Sequence, residues 1–231
     1  MLDKQILEFY HQLHVSLDRP DLEILNPYRD QDAEIEKAFT SFYHKYYHDS
    51  NPRGLILGIN PGRKGAGITG VPFTDTHRLK DHCEIEITTL TSYEPSSVFV
   101  YKVIEAYGGA QKFYQDFFIG SISPLGYVKK NEKNNWVNFN FYDEPQIEKK
   151  LLPFIIDQLK NQKTLCSHPK KTMVLGSGKN VKSLQKINDA HHLFEEIYSV
   201  EHPRYIMQYK AKSQTIYIDK YLMALECLAS N

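Results

Sequence analysis

Residues 54–75 read GLILGINPGRKGAGITGVPFTD, and the fold turns on how they are parsed. Leu55-Ile56-Leu57 is a short unbroken apolar run between two glycines, the pattern of a strand buried on both faces. It leads directly into Asn60-Pro61-Gly62 and a loop holding Gly65, Gly67 and Gly70. So much backbone freedom after a strand is expected where a ligand must come close to the chain. Asn60 precedes a proline, which biases it towards extended backbone and fixes the angle at which its carboxamide leaves the strand. That carboxamide offers an acceptor to a water molecule. Taken alone, Asn-Pro-Gly is a plain turn, so its surroundings decide.

Downstream of the first strand (55–59), three more apolar runs read as strands: 116–123 (DFFIGSIS), 172–175 (TMVL) and 196–200 (EIYSV). Helix-like stretches separate or close them at 97–107, 146–159, 179–188 and 215–229. Upstream, residues 3–17 and 32–47 carry apolar side chains at helical spacing, and the segment LDRPDLEILNPYRDQD (17–32), broken by prolines, reads as loop. Strands alternating with helices predict an α/β fold with a parallel sheet covered on both faces. The 231 residues fit one large domain, 1–231, with the first fifty residues a helical segment packed on it.

Parallel strands all end on one edge, so the segments that follow them converge. Four unusual segments follow the four strands: INPGRKG, SPLGY, GSGKN and EHPRY. His202 at that edge could donate a hydrogen bond to an anionic leaving group, although a lone histidine is more often structural. Phe73, beside Pro72, offers a face for stacking a planar ring or else anchors its loop. Tyr205, Ile206 and Met207 follow a basic residue in a loop and are suited either to wedging between bases or to covering the core. Gly176-Ser177-Gly178-Lys179 lacks the spacing of a P-loop, since position 180 is Asn, but its glycine-rich entry into a helix leaves free amides for a phosphate.

The net charge is zero, and nothing global announces a nucleic-acid partner. Lysines gather locally at 129, 130 and 133, at 170 and 171, at 179, 182 and 186, and at 210 and 212, in most cases as solvated surface. Three scattered cysteines cannot hold an iron–sulfur cluster, and His77, His82 and Cys83 match no standard metal spacing, so surface or packing roles are expected for them. No apolar run approaches a membrane span, and the charged N-terminal stretch lacks a signal-peptide core, so a cytoplasmic location (cytosol or nucleoid) is expected.

With GINPGRKGAGITGVPF, ISPLG and HPR in this order, residues 50–210 resemble the uracil-DNA glycosylase superfamily, most of all its single-strand-selective monofunctional branch. The resemblance implies a three-layer α/β/α sandwich with a four-stranded parallel central sheet, no metal and no cofactor. It implies a monomeric enzyme that flips a damaged base out of DNA and hydrolyses its N-glycosidic bond. Asn60 then positions the attacking water, Ile59 and Gly62 line the pocket through their backbone, and Phe73 stacks on the base. His202 stabilises the departing base as an anion. Arg204, Tyr205, Ile206 and Met207 form the loop that probes the duplex, while Arg63, Lys64, Ser177 and Lys179 complete the DNA-contacting set.

One departure matters. The superfamily's base-reading asparagine falls on Ser121. A hydroxyl supplies one rotatable donor where a carboxamide reads two base atoms at a fixed angle, so discrimination for uracil should weaken and hypoxanthine or xanthine be tolerated. Ser123, Asn138 and Asn140 are alternative readers. The competing expectation is a catalytically silent DNA- or nucleotide-binding domain on the same fold. A phosphohydrolase built on GSGK lacks both the spacing and an acidic metal-binding set.

Overall fold

The computed structural model describes residues 1–29 and 32–229. Two helices open the chain, α1 (Leu2–His11) and α2 (Ala33–Tyr47), with a short strand β1 (Leu22–Leu25) between them. The side chain of Asp32 starts α2 by accepting the Glu34 N–H. β2 (Gly54–Gly58) follows, then α3 (Ala66–Thr69), α4 (Thr76–Cys83), α5 (Pro95–Tyr107) and α6 (Ala110–Asp116). Asp75 caps α4 by accepting the Arg78 N–H, and α5 begins on a proline, where the missing N–H costs nothing.

The second half holds β3 (Phe117–Ser121), β4 (Gly126–Lys130), β5 (Trp136–Phe139), α7 (Pro145–Leu165), β6 (Lys171–Leu175), α8 (Lys179–His191), β7 (Glu196–Val200), α9 (Pro203–Tyr209) and α10 (Gln214–Ala229). Four strands form a wholly parallel sheet in the order β3-β2-β6-β7. Helices flank it in a three-layer α/β/α arrangement, as the sequence led us to expect. Leu55, Ile56 and Leu57 on the inner strand are buried on both faces, which explains their unbroken apolar run. One contiguous core takes in side chains from α1 through α10.

Three expectations need correction. The segment read as loop at 17–32 contains β1, which pairs antiparallel with β4 and, through it, with β5 in a second, three-stranded sheet. Pro20 and Pro27 flank that strand instead of interrupting it; residues 30 and 31 of the same segment lie outside the described residues. The helix expected over 3–17 stops at His11, because Leu13 turns into the core and its carbonyl accepts the Asn26 side-chain N–H. The loop expected after β7 is the helix α9.

Candidate active site

Because the sheet is parallel, Asn60, Ser121 and His202 leave it at one edge. Ser121 ends β3 and pairs in register with Gly58 of β2, two residues before Asn60. His202 lies two residues past β7. All three line a single cavity of about 210 Å³, together with Ile59, Gly62 and Phe73. That is below the roughly 300–1,000 Å³ of drug-sized ligand sites and suits one heterocycle with water.

The Asn60 carboxamide is clamped by the chain that follows β5: Nδ2 donates to the Phe139 carbonyl at 3.2 Å, and Oδ1 accepts the Phe141 N–H at 3.3 Å. An amide oxygen has two lone pairs, so Oδ1 keeps one for a water. His202 is the N-cap of α9, its Nδ1 accepting the Arg204 N–H at 3.1 Å. Nε2 therefore carries the ring proton. Burial, with the Arg204 charge adding to it, pulls the His202 pKa down to about 4, so the ring is a neutral donor at physiological pH. Its backbone is held from α10, where Tyr221 donates to the Glu201 carbonyl at 2.6 Å and Lys220 pairs with the Glu201 carboxylate at 2.9 Å.

Phe73 sits in the left-handed region at φ 52°. Its ring lies against Gly58, where a Cβ would stand 2.9 Å from Cε2, and its centroid is 6.0 Å from that of His202. Ser121 is fixed by its backbone: its N–H donates to Gln162 Oε1 at 3.0 Å and its carbonyl accepts Gln162 Nε2 at 2.9 Å. Of the alternative readers, Asn138 and Asn140 line the cavity, whereas Ser123 does not and spends its hydroxyl on Tyr127 at 2.7 Å.

The remaining expected residues divide. Ser177, Lys179 and Tyr205 line an adjoining cleft that shares Ile59 and His202 with the first, while Arg204 lines the first. Arg63 and Lys64 are exposed on the glycine loop and line neither cavity. Ile206 does not fit a DNA-wedging role: it is wholly buried, because α9 turns it into the core, and Met207 packs partly against that core. His82 and Cys83 serve packing, the ring against Tyr101 and the thiol within 3.3 Å of its hydroxyl. The one metal-type cluster among the described residues is Asp3, His44 and His48, where α1 meets α2; none of these residues lines the cleft.

Sequence reasoning missed two residues. Gln162 of α7 is buried and covers the end of β3. Glu94 lines the cavity, and burial together with the neighbouring Asp75 pushes its carboxyl up to about 7. A signal for it was present: a glutamate directly before the proline that starts a helix is a poor cap, which leaves its side chain free for other work.

A sheet edge carrying a clamped asparagine, a neutral histidine and a phenylalanine around a cavity of this size is the arrangement of a DNA N-glycosylase. The model of the uracil DNA glycosylase superfamily matches residues 44–226, and the chain belongs to that superfamily. It is similar over its whole length to wild-type SMUG2 of Pedobacter heparinus, known from a crystal structure: 41% identity, 100% of this chain and 99% of that one covered, and a TM-score of 0.94. No match is found among curated proteins.

Proposed function

We propose that the protein removes a deaminated base from DNA by hydrolysing its N-glycosidic bond, accepting hypoxanthine or xanthine as well as uracil, and leaves the strand uncut. The observation that carries this proposal is that Asn60 and His202, 142 positions apart (202 − 60), line one base-sized cavity with Phe73. In this reading the base stacks on Phe73, and Asn60 Oδ1 orients a water at the sugar carbon. As the bond breaks, positive charge grows on the sugar and negative charge on the base. A donor at the base then gains strength in the transition state, which is what lowers the barrier. His202 supplies it through Nε2–H. Asparagine is too weak a base to take the water's proton, so its part is orientation.

Ser121 offers a hydroxyl, free of protein partners among the described residues, where a fixed amide would discriminate more strictly. Arg204, Ser177, Lys179 and Tyr205 lie where the DNA strand would run, and Arg63 and Lys64 are available to its phosphates. The protein acts as a monomer, in the cytosol or nucleoid, where its DNA lies. No described helix is long and apolar enough to cross a membrane.

The test uses single- and double-stranded oligonucleotides carrying uracil, hypoxanthine or xanthine, treated with alkali after incubation. Strand breaks that need the alkali step and fall about 100-fold or more with Asn60→Ala are expected. No break with any deaminated base would make the chain a silent binder, and cleavage of uracil alone would overturn the part assigned to Ser121.

A further inference from the structure

Glu94 stands out among the cavity residues. It is the N-cap residue of α5, yet its side chain caps nothing, and among the described residues no protein group donates a hydrogen bond to its carboxyl. The carboxyl is fitted into the glycine loop: a Cβ on Gly65 would stand 2.1 Å from Oε2, and one on Gly62 would stand 3.1 Å from Oε1. Two glycines thus leave room for an acid that faces the same space as Asn60, Phe73 and His202.

Burial first, and then the charge of Asp75, favour the neutral form of Glu94. Asp75, buried at the start of α4, accepts the backbone N–H of Glu94 at 2.7 Å and is itself paired with Arg78 at 3.0 Å. Arg204, exposed on α9, opposes this by favouring the carboxylate, and Arg63 and Lys64 on the adjoining loop are exposed. On its own helix Ser97 turns its hydroxyl to Asp75, and across the cavity His202 is uncharged. Together with burial, these neighbours hold the acid near half-ionised at about pH 7.

Several donors at the cavity are already engaged or loosely held. One Asn60 amide N–H is committed to Phe139, Asn140 Nδ2 donates to Asp143 at 3.4 Å, and the Ser121 hydroxyl rotates freely. Asn138, whose Oδ1 accepts the Arg63 N–H at 3.0 Å, keeps its amide N–H groups. We propose that Glu94 is a second hydrogen-bond donor to the flipped base, its acid O–H reaching a lone pair on the base edge that faces the 62–65 loop. This assignment rests on the glycosylase reading above. A neutral acid strengthens its hydrogen bond as the base gathers negative charge; a carboxylate in the same place would repel that charge. The residue thereby supplies, from a different wall, part of what a carboxamide at position 121 would have given.

The experiment is single-turnover excision of uracil and hypoxanthine from single-stranded oligonucleotides between pH 5.5 and 8.5, with thermal melts to confirm that each variant is folded. The wild-type rate should fall as the pH rises through about 7. Glu94→Gln keeps a donor that cannot ionise, so its rate should stay within about threefold of the wild-type value at low pH and lose the alkaline fall. Glu94→Ala should be slower by about tenfold or more at pH 6. Gly65→Ala, whose methyl group displaces the carboxyl, should behave like Glu94→Ala. Wild-type rates in Glu94→Ala or Gly65→Ala, or a Glu94→Gln enzyme as slow as Glu94→Ala, overturn the donor role alone. A wild type that cleaves no deaminated base overturns the glycosylase reading and this one with it.

Discussion

Phe73 holds a backbone conformation that costs a bulky residue of order 1 kcal/mol, and its neighbours over-determine it. The Thr69 hydroxyl donates to the Thr74 carbonyl at 2.6 Å and accepts the Val71 N–H at 3.2 Å, while the Thr74 hydroxyl donates to the Pro72 carbonyl at 3.1 Å. The ring is thus presented to the cavity on a braced loop and rests on bare backbone at Gly58. Gly58→Ala should push it away, since the new methyl would meet the ring at 2.9 Å and such overpacking costs about 1–3 kcal/mol. We expect a lower melting temperature and a raised KM for the damaged oligonucleotide; an unchanged KM would show that the ring does not hold the base. The run GINPGRKGAGITGVPF made Asn60, Gly62 and Phe73 legible because turn chemistry and an aromatic stand together in it. Gly58 opens that run but reads only as the end of an apolar strand, with nothing to tie it to the Phe73 ring, and Glu94 is a lone carboxylate on another helix, which local patterning does not connect to the pocket.

At the scale of elements, β3 is an edge strand of the parallel sheet, and its last residue faces the cavity. An edge strand exposes unpaired backbone groups unless something covers them. Gln162 does so at Ser121, and it fits because Gly120 has no side chain: a Cβ there would stand 2.0 Å from Gln162 Oε1. Gln162→Leu should leave two buried backbone groups unpaired, at about 1–3 kcal/mol for each. Chemical denaturation should show that loss, and base discrimination should change because Ser121 is no longer held; a variant as stable as the wild type would refute the account. β2, β3 and β6 were legible because both of their faces are largely buried and they read as apolar runs, while β7, exposed at Glu196 and Ser199, showed itself through Ile197, Tyr198 and Val200. The second sheet was not, because β5 buries only Phe139 and shows no alternation, and β1 is only four residues long. Likewise α9 read as loop, since histidine followed by proline is an uncommon helix start, and only the structure shows Nδ1 serving as the cap.

For the molecule as a whole, the site leaves a mark on stability that can be measured without DNA. Glu94 has a folded-state pKa raised from 4.5 to about 7. A raised acid is best accommodated when protonated, so its contribution is complete below pH 4.5 and is lost as the pH climbs through about 7. His202 works in the other direction: with its pKa lowered from 6.5 to about 4, the unfolded chain takes up a proton first, and stability drains as the pH falls from 6.5 towards 4. Asp3 adds to the acid side. Burial opposes its ionisation, but hydrogen bonds from His48 at 2.7 Å and His44 at 2.6 Å prevail and carry its pKa down to about 2, so the tie between α1 and α2 is lost as the pH falls from 3.8 through 2. Replacing Glu94 by Gln removes only the alkaline branch. The melting temperature of Glu94→Gln should therefore match the wild type at pH 4.5 and exceed it by a few degrees at pH 8, where the wild type must hold a carboxylate in a partly buried cavity beside Asp75. A difference between the two proteins that stays constant with pH would mean that Glu94 does not titrate between those limits, and the alkaline fall expected for excision would then need another source.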